Sequence, residues 1–228
     1  MISTGSSAID SLLGGGIHAG MITDIYGESG SGKSQICFTL CVNAARNGCK
    51  IVFVDTAGTF RPERIIEIGS QSTLEKITFV RALTTFDQIN TINKIQDIDP
   101  QLVIFDTLTS LFSVEYSGPL RHLAVMKHLH QLALMAINSG CAVVVTNMIR
   151  NIPPITVVDG VGHNVSQTIV PSHQREYLGS SVSLYSHMKL KLEIIDAAKS
   201  LFQALLIQPA GKKPMQYAIT SKGISDIV

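Results

Sequence analysis

The chain has 228 residues, 45% of them hydrophobic, and a formal net charge of +1. That is enough apolar material for the core of one large domain, and too balanced a charge for a uniformly basic coat on nucleic acid, although a local basic stripe stays open. The apolar runs fall far short of the roughly 18 residues that suggest a membrane span, and the start, MISTGSSAID, lacks the basic-then-apolar pattern of a secretory signal. A soluble cytoplasmic protein with no membrane partner is the expectation. Cys37, Cys41, Cys49 and Cys141 show no CxxC spacing. Cys37 and Cys41 would share a helix face, but a metal would need two further ligands, so buried reduced thiols are expected.

Taken in order, residues 9–13 predict a short helix stopped by Gly14, Gly15 and Gly16. The apolar run 21–26 predicts a strand, and it leads into IYGESGSGKSQ (25–35), which meets the pattern GxxxxGK[ST] in full: strand, glycine loop, helix. Gly27, Gly30 and Gly32 let backbone amides approach phosphate oxygens, and the helix starting near Gly32 points its positive end at the same place. Lys33 can reach the β- and γ-phosphates, and the Ser34 hydroxyl is the expected Mg²⁺ ligand. The predicted nucleotide site is therefore Gly27, Glu28, Ser29, Gly30, Ser31, Gly32, Lys33, Ser34 and Gln35.

A helix from Ile36 is ended by Asn47 and Gly48, and the strand 51–54 closes on Asp55. Next come a helix over 62–68 with Pro62 in its first turn, a strand at 77–80 and a helix at 85–98. The apolar run 102–105 leads into Asp106, the helix 120–139 is apolar on most of its circumference, and the strand 141–145 ends at Thr146 and Asn147. This alternation predicts an α/β fold: a mainly parallel twisted sheet, helices on both faces, and functional residues at the strand C-termini. Asp106 is placed to hold the Mg²⁺ shell, with an ordinary strand-end cap as the alternative, and Asp55 is assigned to orientation or structural hydrogen bonding. Residues 149–176, with Pro153, Pro154, Pro171 and DGVGHN, read as a long functional loop. Strands return at 189–195, 202–208 and, after the turn AGKK, 215–220. We expect one domain over 1–228.

The segments STGSSAIDSLLGGGI, GESGSGKSQ, VDTAGTFRPER, LVIFDTLTSL, EYSG, VVVTN and ITSKGI follow one another in this order. Together they resemble the ATPase core of the RecA-type recombinases, which include archaeal RadA and the shorter paralogue RadB. The resemblance implies a P-loop NTPase core binding ATP and Mg²⁺ at a subunit boundary, antiparallel strands at the C-terminal end, and two DNA-binding loops after the fourth and fifth strands. It implies a role in homologous recombination and repair. By the same resemblance Arg64 stacks on adenine, against the alternative of a solvated helix arginine. Lys212 and Lys213 lie where the family caps a neighbour's nucleotide, or else form a solvated turn. No helical N-terminal DNA-binding domain or polymerisation anchor is expected ahead of Ile2, which resembles RadB. Monomers or small oligomers should follow, with a RadA-type recombinase as a partner and, in an archaeon, association with the nucleoid.

Three positions depart from the family pattern. Ala57 stands where DTEG supplies the glutamate that polarises the attacking water, Met148 stands where TNQ supplies a γ-phosphate sensor, and Pro119 follows YSG where an arginine is usual. Arg121 is the candidate to compensate in the first loop, while Arg150, His163, His173 and Arg175 are candidates for DNA phosphates in the second. His122, His128 and His130 lack metal-ligand spacing and read as ordinary surface or packed histidines. Two function classes stay open: a binding and regulatory paralogue with weak or absent ATP hydrolysis and weak, sequence-independent DNA binding, and an active DNA-dependent ATPase that exchanges strands. A circadian or signalling relative of the same superfamily fits FRPER (60–64) less well.

Overall fold

The computed structural model describes residues 1–159, 166–170 and 173–227. Helix α1 (Ser7–Leu13) starts where the Ser6 hydroxyl accepts the Ile9 amide and ends at Gly14 in the left-handed region. Strand β1 (Ile22–Gly27) is buried along its length and feeds the loop that opens α2 (Lys33–Arg46). Then come β2 (Ile51–Asp55), α3 (Pro62–Ile68), the single turn α4 (Gln71–Leu74), β3 (Ile77–Arg81) and α5 (Thr85–Ile98). A capping box between Thr84 and Asp87 fixes the start of α5.

Strand β4 (Leu102–Asp106) is followed by α6 (Ser110–Glu115), α7 (Gly118–Ser139) and β5 (Ala142–Ile152). The remaining elements are β6 (Ile155–Asp159), β7 (Ser166–Val170), β8 (His173–Glu176), α8 (Gly179–Ser183), β9 (Met188–Asp196), β10 (Leu201–Gln208), β11 (Met215–Thr220) and β12 (Gly223–Ser225).

The main sheet runs β12-β11-β10-β9-β1-β5-β4-β2-β3. From β9 to β3 its neighbours are parallel, and β9 to β12 are antiparallel, as the sequence predicts. One apolar core, with Ile9, Ile36, Leu40, Phe53 and Tyr217, packs on one face; the other, with Val103, Phe105, Phe112, Leu129 and Leu132, packs under α5 and α7. The register sets Gly27 opposite Met148 and Asp55 opposite Asp106, so the tips of β1, β2, β4 and β5 converge on one sheet edge.

The reading of 149–176 as a long loop is corrected. Strand β5 continues to Ile152 and pairs antiparallel with β8, Arg150 opposite Arg175, while β6 and β7 pair antiparallel in a separate two-stranded sheet. Strand β8, of sequence HQRE, has no apolar residue and is held by ladder hydrogen bonds to β5, which leaves no apolar period to read there. Pro171 and His163 lie outside the described residues. Short helix α6 was absent from the sequence reading, and no helix is long and apolar enough to cross a membrane among the described residues.

Candidate nucleotide-binding site

The phosphate loop is held from beneath. A Cβ on Gly27 would collide with the Leu192 carbonyl and lie 2.7 Å from Ser31 Oγ, so only glycine lets β1 and β9 close on the loop. Gly32, with φ 92°, turns the chain into α2, and a Cβ there would meet Ile219 Cδ1 at 2.8 Å. Lys33 Nζ donates to the carbonyls of Gly27 at 2.9 Å and Glu28 at 2.7 Å. Burial pushes its pKa down, opposed by Asp106.

The structure brings Ser34 and Asp106 together: Ser34 Oγ donates to Asp106 Oδ2 at 2.6 Å. Two threonines complete the arrangement, Thr59 Oγ1 donating to Oδ2 at 3.2 Å and Thr146 Oγ1 to Oδ1 at 2.5 Å. A carboxylate ringed by hydroxyls is a hard oxygen donor set beside the phosphate loop, and it fits Mg²⁺. Sequence reading missed both threonines, whose roles follow from strand register.

A cavity of about 510 Å³ opens beside these groups, lined among others by Ser29, Gly30, Lys33, Ser34, Gln35, Ala57, Thr59, Asp106, Met148 and Ile219. Ala57 and Met148 thus face the same space. Asp106 is the sole carboxylate lining it among the described residues. Asp55 has a structural role: its Oδ1 accepts the amides of Ala57, Gly58 and Thr59 at 3.0, 2.7 and 3.2 Å, Oδ2 accepts Phe60 N at 3.2 Å, and Arg81 pairs with it at 2.9 Å.

Arg64 stands at the rim rather than in the lining. It donates to Gln35 Oε1 at 2.9 Å and to the carbonyls of Thr220 and Ser221, and pairs with Glu67 at 2.6 Å, tying α2 to the β11–β12 turn. Glu28 contributes its carbonyl to Lys33, and Ser31 is buried below the loop. Lys212 Nζ donates to the carbonyls of Ser11 and Leu12, capping α1 of its own chain.

Arg121, Arg150 and Arg175 line one second cavity of about 200 Å³, together with His122, Glu176 and Tyr177. The guanidiniums of Arg121 and Arg150 lie 5.8 and 5.4 Å from the centre of the Tyr177 ring. Below it is a buried ionic cluster: Lys189 Nζ lies 2.6 Å from Glu176 Oε2 and 3.0 Å from Asp24 Oδ2, and Asn147 Nδ2 donates to Glu176 Oε1 at 2.8 Å. Burial first, then the Glu176 charge, drives the Asp24 carboxyl well above its ordinary range. The three residues come from distant segments, and no local signal in the sequence joins them. His128 is buried against Phe105 and Phe112, and no group of three or more metal-binding side chains occurs among the described residues. Cys37, Cys41 and Cys141 are buried free thiols, and Cys49 is half-buried.

The Rad51 family matches residues 1–227. The chain is 40% identical over 173 residues to the DNA repair and recombination protein RadA of Metallosphaera sedula, covering 67% of this chain and 53% of the relative. It is 36% identical over 173 residues to that of Cenarchaeum symbiosum (67% and 44%) and 37% identical over 174 residues to that of Aeropyrum pernix (68% and 54%). The chain thus spans about half the length of these curated relatives. A phosphate loop, an oxygen donor set where the ends of β4 and β5 meet the start of α2, and an arginine-lined cavity reached two residues past Met148 along β5 all stand within the matched span: the chain belongs to the Rad51 family.

Proposed function

We infer that the chain is a RadB-like paralogue that binds ATP with Mg²⁺, assists homologous recombination and DNA repair, and hydrolyses ATP slowly or not at all. The observation carrying this reading is the lining of the nucleotide cavity: among the described residues its one carboxylate, Asp106, is engaged by three hydroxyls, and Ala57 lines the cavity at the position where the family pattern has a glutamate. Asp55 cannot substitute, because four amides and Arg81 hold its carboxylate.

Lys33 and the loop amides would hold the phosphates, and Ser34 and Asp106 would hold Mg²⁺, which when bound supplies charge neutralisation between phosphate oxygens. These groups act on the ground state as well as the transition state, so they support binding without supplying a base. Arg121, Arg150 and Arg175 converge on one cavity, and this supports weak, sequence-independent DNA binding through a few phosphates. A RadA-type recombinase is the proposed partner, and monomers or small oligomers the proposed species.

Measuring Mg–ATP affinity and the ATPase rate, each with and without single-stranded DNA, tests the reading. Ordinary affinity with turnover far below about 1 s⁻¹, the lower end for working enzymes, is expected. Turnover at or above that rate, stimulated by DNA, would instead establish the active strand-exchange ATPase.

A further inference from the structure

Tyr217 lies on β11, at the bottom of the main core and outside every residue assigned above to the ligands. It is fully buried, its ring stacks on Phe202 with centroids 5.5 Å apart and planes at 23°, and its hydroxyl donates to the Ser31 carbonyl at 2.9 Å. We propose that Tyr217 is a positioning residue of the phosphate loop, its hydroxyl aiming the Gly32 amide into the nucleotide cavity by holding the Ser31 carbonyl. The inference rests on the nucleotide reading above.

A loop whose peptide planes are flanked by glycines has little preference of its own for their orientation. Gly30 and Gly32 both sit at positive φ, 82° and 92°, where a glycine can turn at small cost. The peptide joining Ser31 to Gly32 is trans, so its carbonyl and its N–H point in opposite directions. A donor that draws the carbonyl down toward β11 therefore turns the N–H up, toward the side on which Gly32, Lys33 and Ser34 line the cavity.

The hydroxyl does something the ring does not. Phenylalanine would keep the stack on Phe202 and fill the same volume, yet would leave the buried Ser31 carbonyl without this donor. Ile219, two residues on, fills the space beside Gly32 and leaves the loop little room to shift sideways. What remains free is rotation of the peptide plane, and Tyr217 fixes that.

The test is Tyr217→Phe, read by Mg-dependent affinity for ATP, ADP and AMP and by thermal stability without nucleotide. Amides of this loop serve the β- and γ-phosphates, so ATP and ADP should bind roughly 3- to 10-fold more weakly, the loss of one hydrogen bond, while AMP affinity stays within twofold. Phe202→Leu is the comparison: it loosens the ring packing and should lower the melting temperature while keeping the ratio of ATP to AMP affinity. Equal ATP binding by Tyr217→Phe and the unmodified protein would overturn the proposal, as would an equal loss for AMP. An unmodified protein that binds no ATP would overturn the nucleotide reading itself and this inference with it.

Discussion

Ser34 and Asp106, 72 positions apart in the chain, meet at 2.6 Å where β4 ends against the start of α2. Their convergence makes a divalent-ion prediction. Asp106→Asn keeps the shape of the site and removes the one carboxylate that lines it among the described residues, so ATP affinity without Mg²⁺ should change little. The gain in affinity on adding Mg²⁺ should fall by roughly 10- to 100-fold, measured by titration with and without chelator. An Asn variant with the full Mg²⁺ gain would remove Asp106 from the metal assignment.

Ala57 predicts a rescue. Ala57→Glu places a carboxylate in the cavity without touching Lys33 or Ser34, so ATP affinity should stay within a few-fold of its starting value. Turnover should rise by about 10-fold or more, within the range typical of a general base. Steady-state phosphate release decides it, with Lys33→Ala as the variant that should bind no nucleotide.

Three arginines in one cavity set a limit on salt dependence. For single-stranded DNA, the plot of log K against log salt concentration should have a slope equivalent to two to four phosphate contacts, at about 0.7 per contact. Arg150→Ala should flatten it by about one contact and weaken all sequences alike. A slope matching seven or more contacts would mean that DNA is bound mainly elsewhere.

His128 carries a pH signature of folding. Burial pushes its pKa from 6.5 down to about 3, so the unfolded chain binds a proton that the folded chain refuses. Stability should therefore fall steadily as pH drops from 6.5 toward 3. Chemical denaturation of His128→Leu across this window should show a shallower decline, and an unchanged one would contradict the assignment of His128 as a buried neutral base.

Asp226 works at lower pH. Its carboxylate accepts from the Ser6 and Ser7 hydroxyls at 2.5 and 2.6 Å and from the Ser7 and Ala8 amides at 3.1 Å, and these bonds hold its pKa at about 2. The stabilisation is present above the ordinary value of 3.8 and is lost as pH falls through about 2. Because the group is half-buried and still reached by solvent, Asp226→Asn should cost only about 1 kcal/mol at neutral pH, the scale of a helix cap. The difference from the unmodified protein should vanish near pH 2.

Local chemistry made much of this fold legible. Helices α3 and α5 start at the predicted residues because Pro62 and the Thr84–Asp87 pair write their N-terminal boundaries into the sequence. Glycine spacing marked the phosphate loop, and Asp106 was marked by the apolar run before it. Thr59, Thr146 and Tyr217 were not legible, since each acts through a partner fixed by the sheet register rather than by neighbours in the chain. Strand β8 was hidden for a related reason: its polar residues are ordered by the ladder to β5 and, at Glu176, by the ion pair with Lys189, not by apolar packing.

Strand β5 has one further consequence. It is a single unbroken element from Ala142 in the core, past Met148 at the nucleotide cavity, to Arg150 at the arginine cavity and on to Ile152. The span from Met148 to Arg150 is two residues, about 7 Å of extended chain. Parallel β1 pairs with the strand up to Met148, and antiparallel β8 pairs with it from Ile149 onward, so every residue between the two cavities is in a ladder. The two cavities therefore share one continuously paired backbone, and Arg150 and its cross-strand neighbour Arg175 are placed relative to Met148 by hydrogen-bonded ladders rather than by a loop.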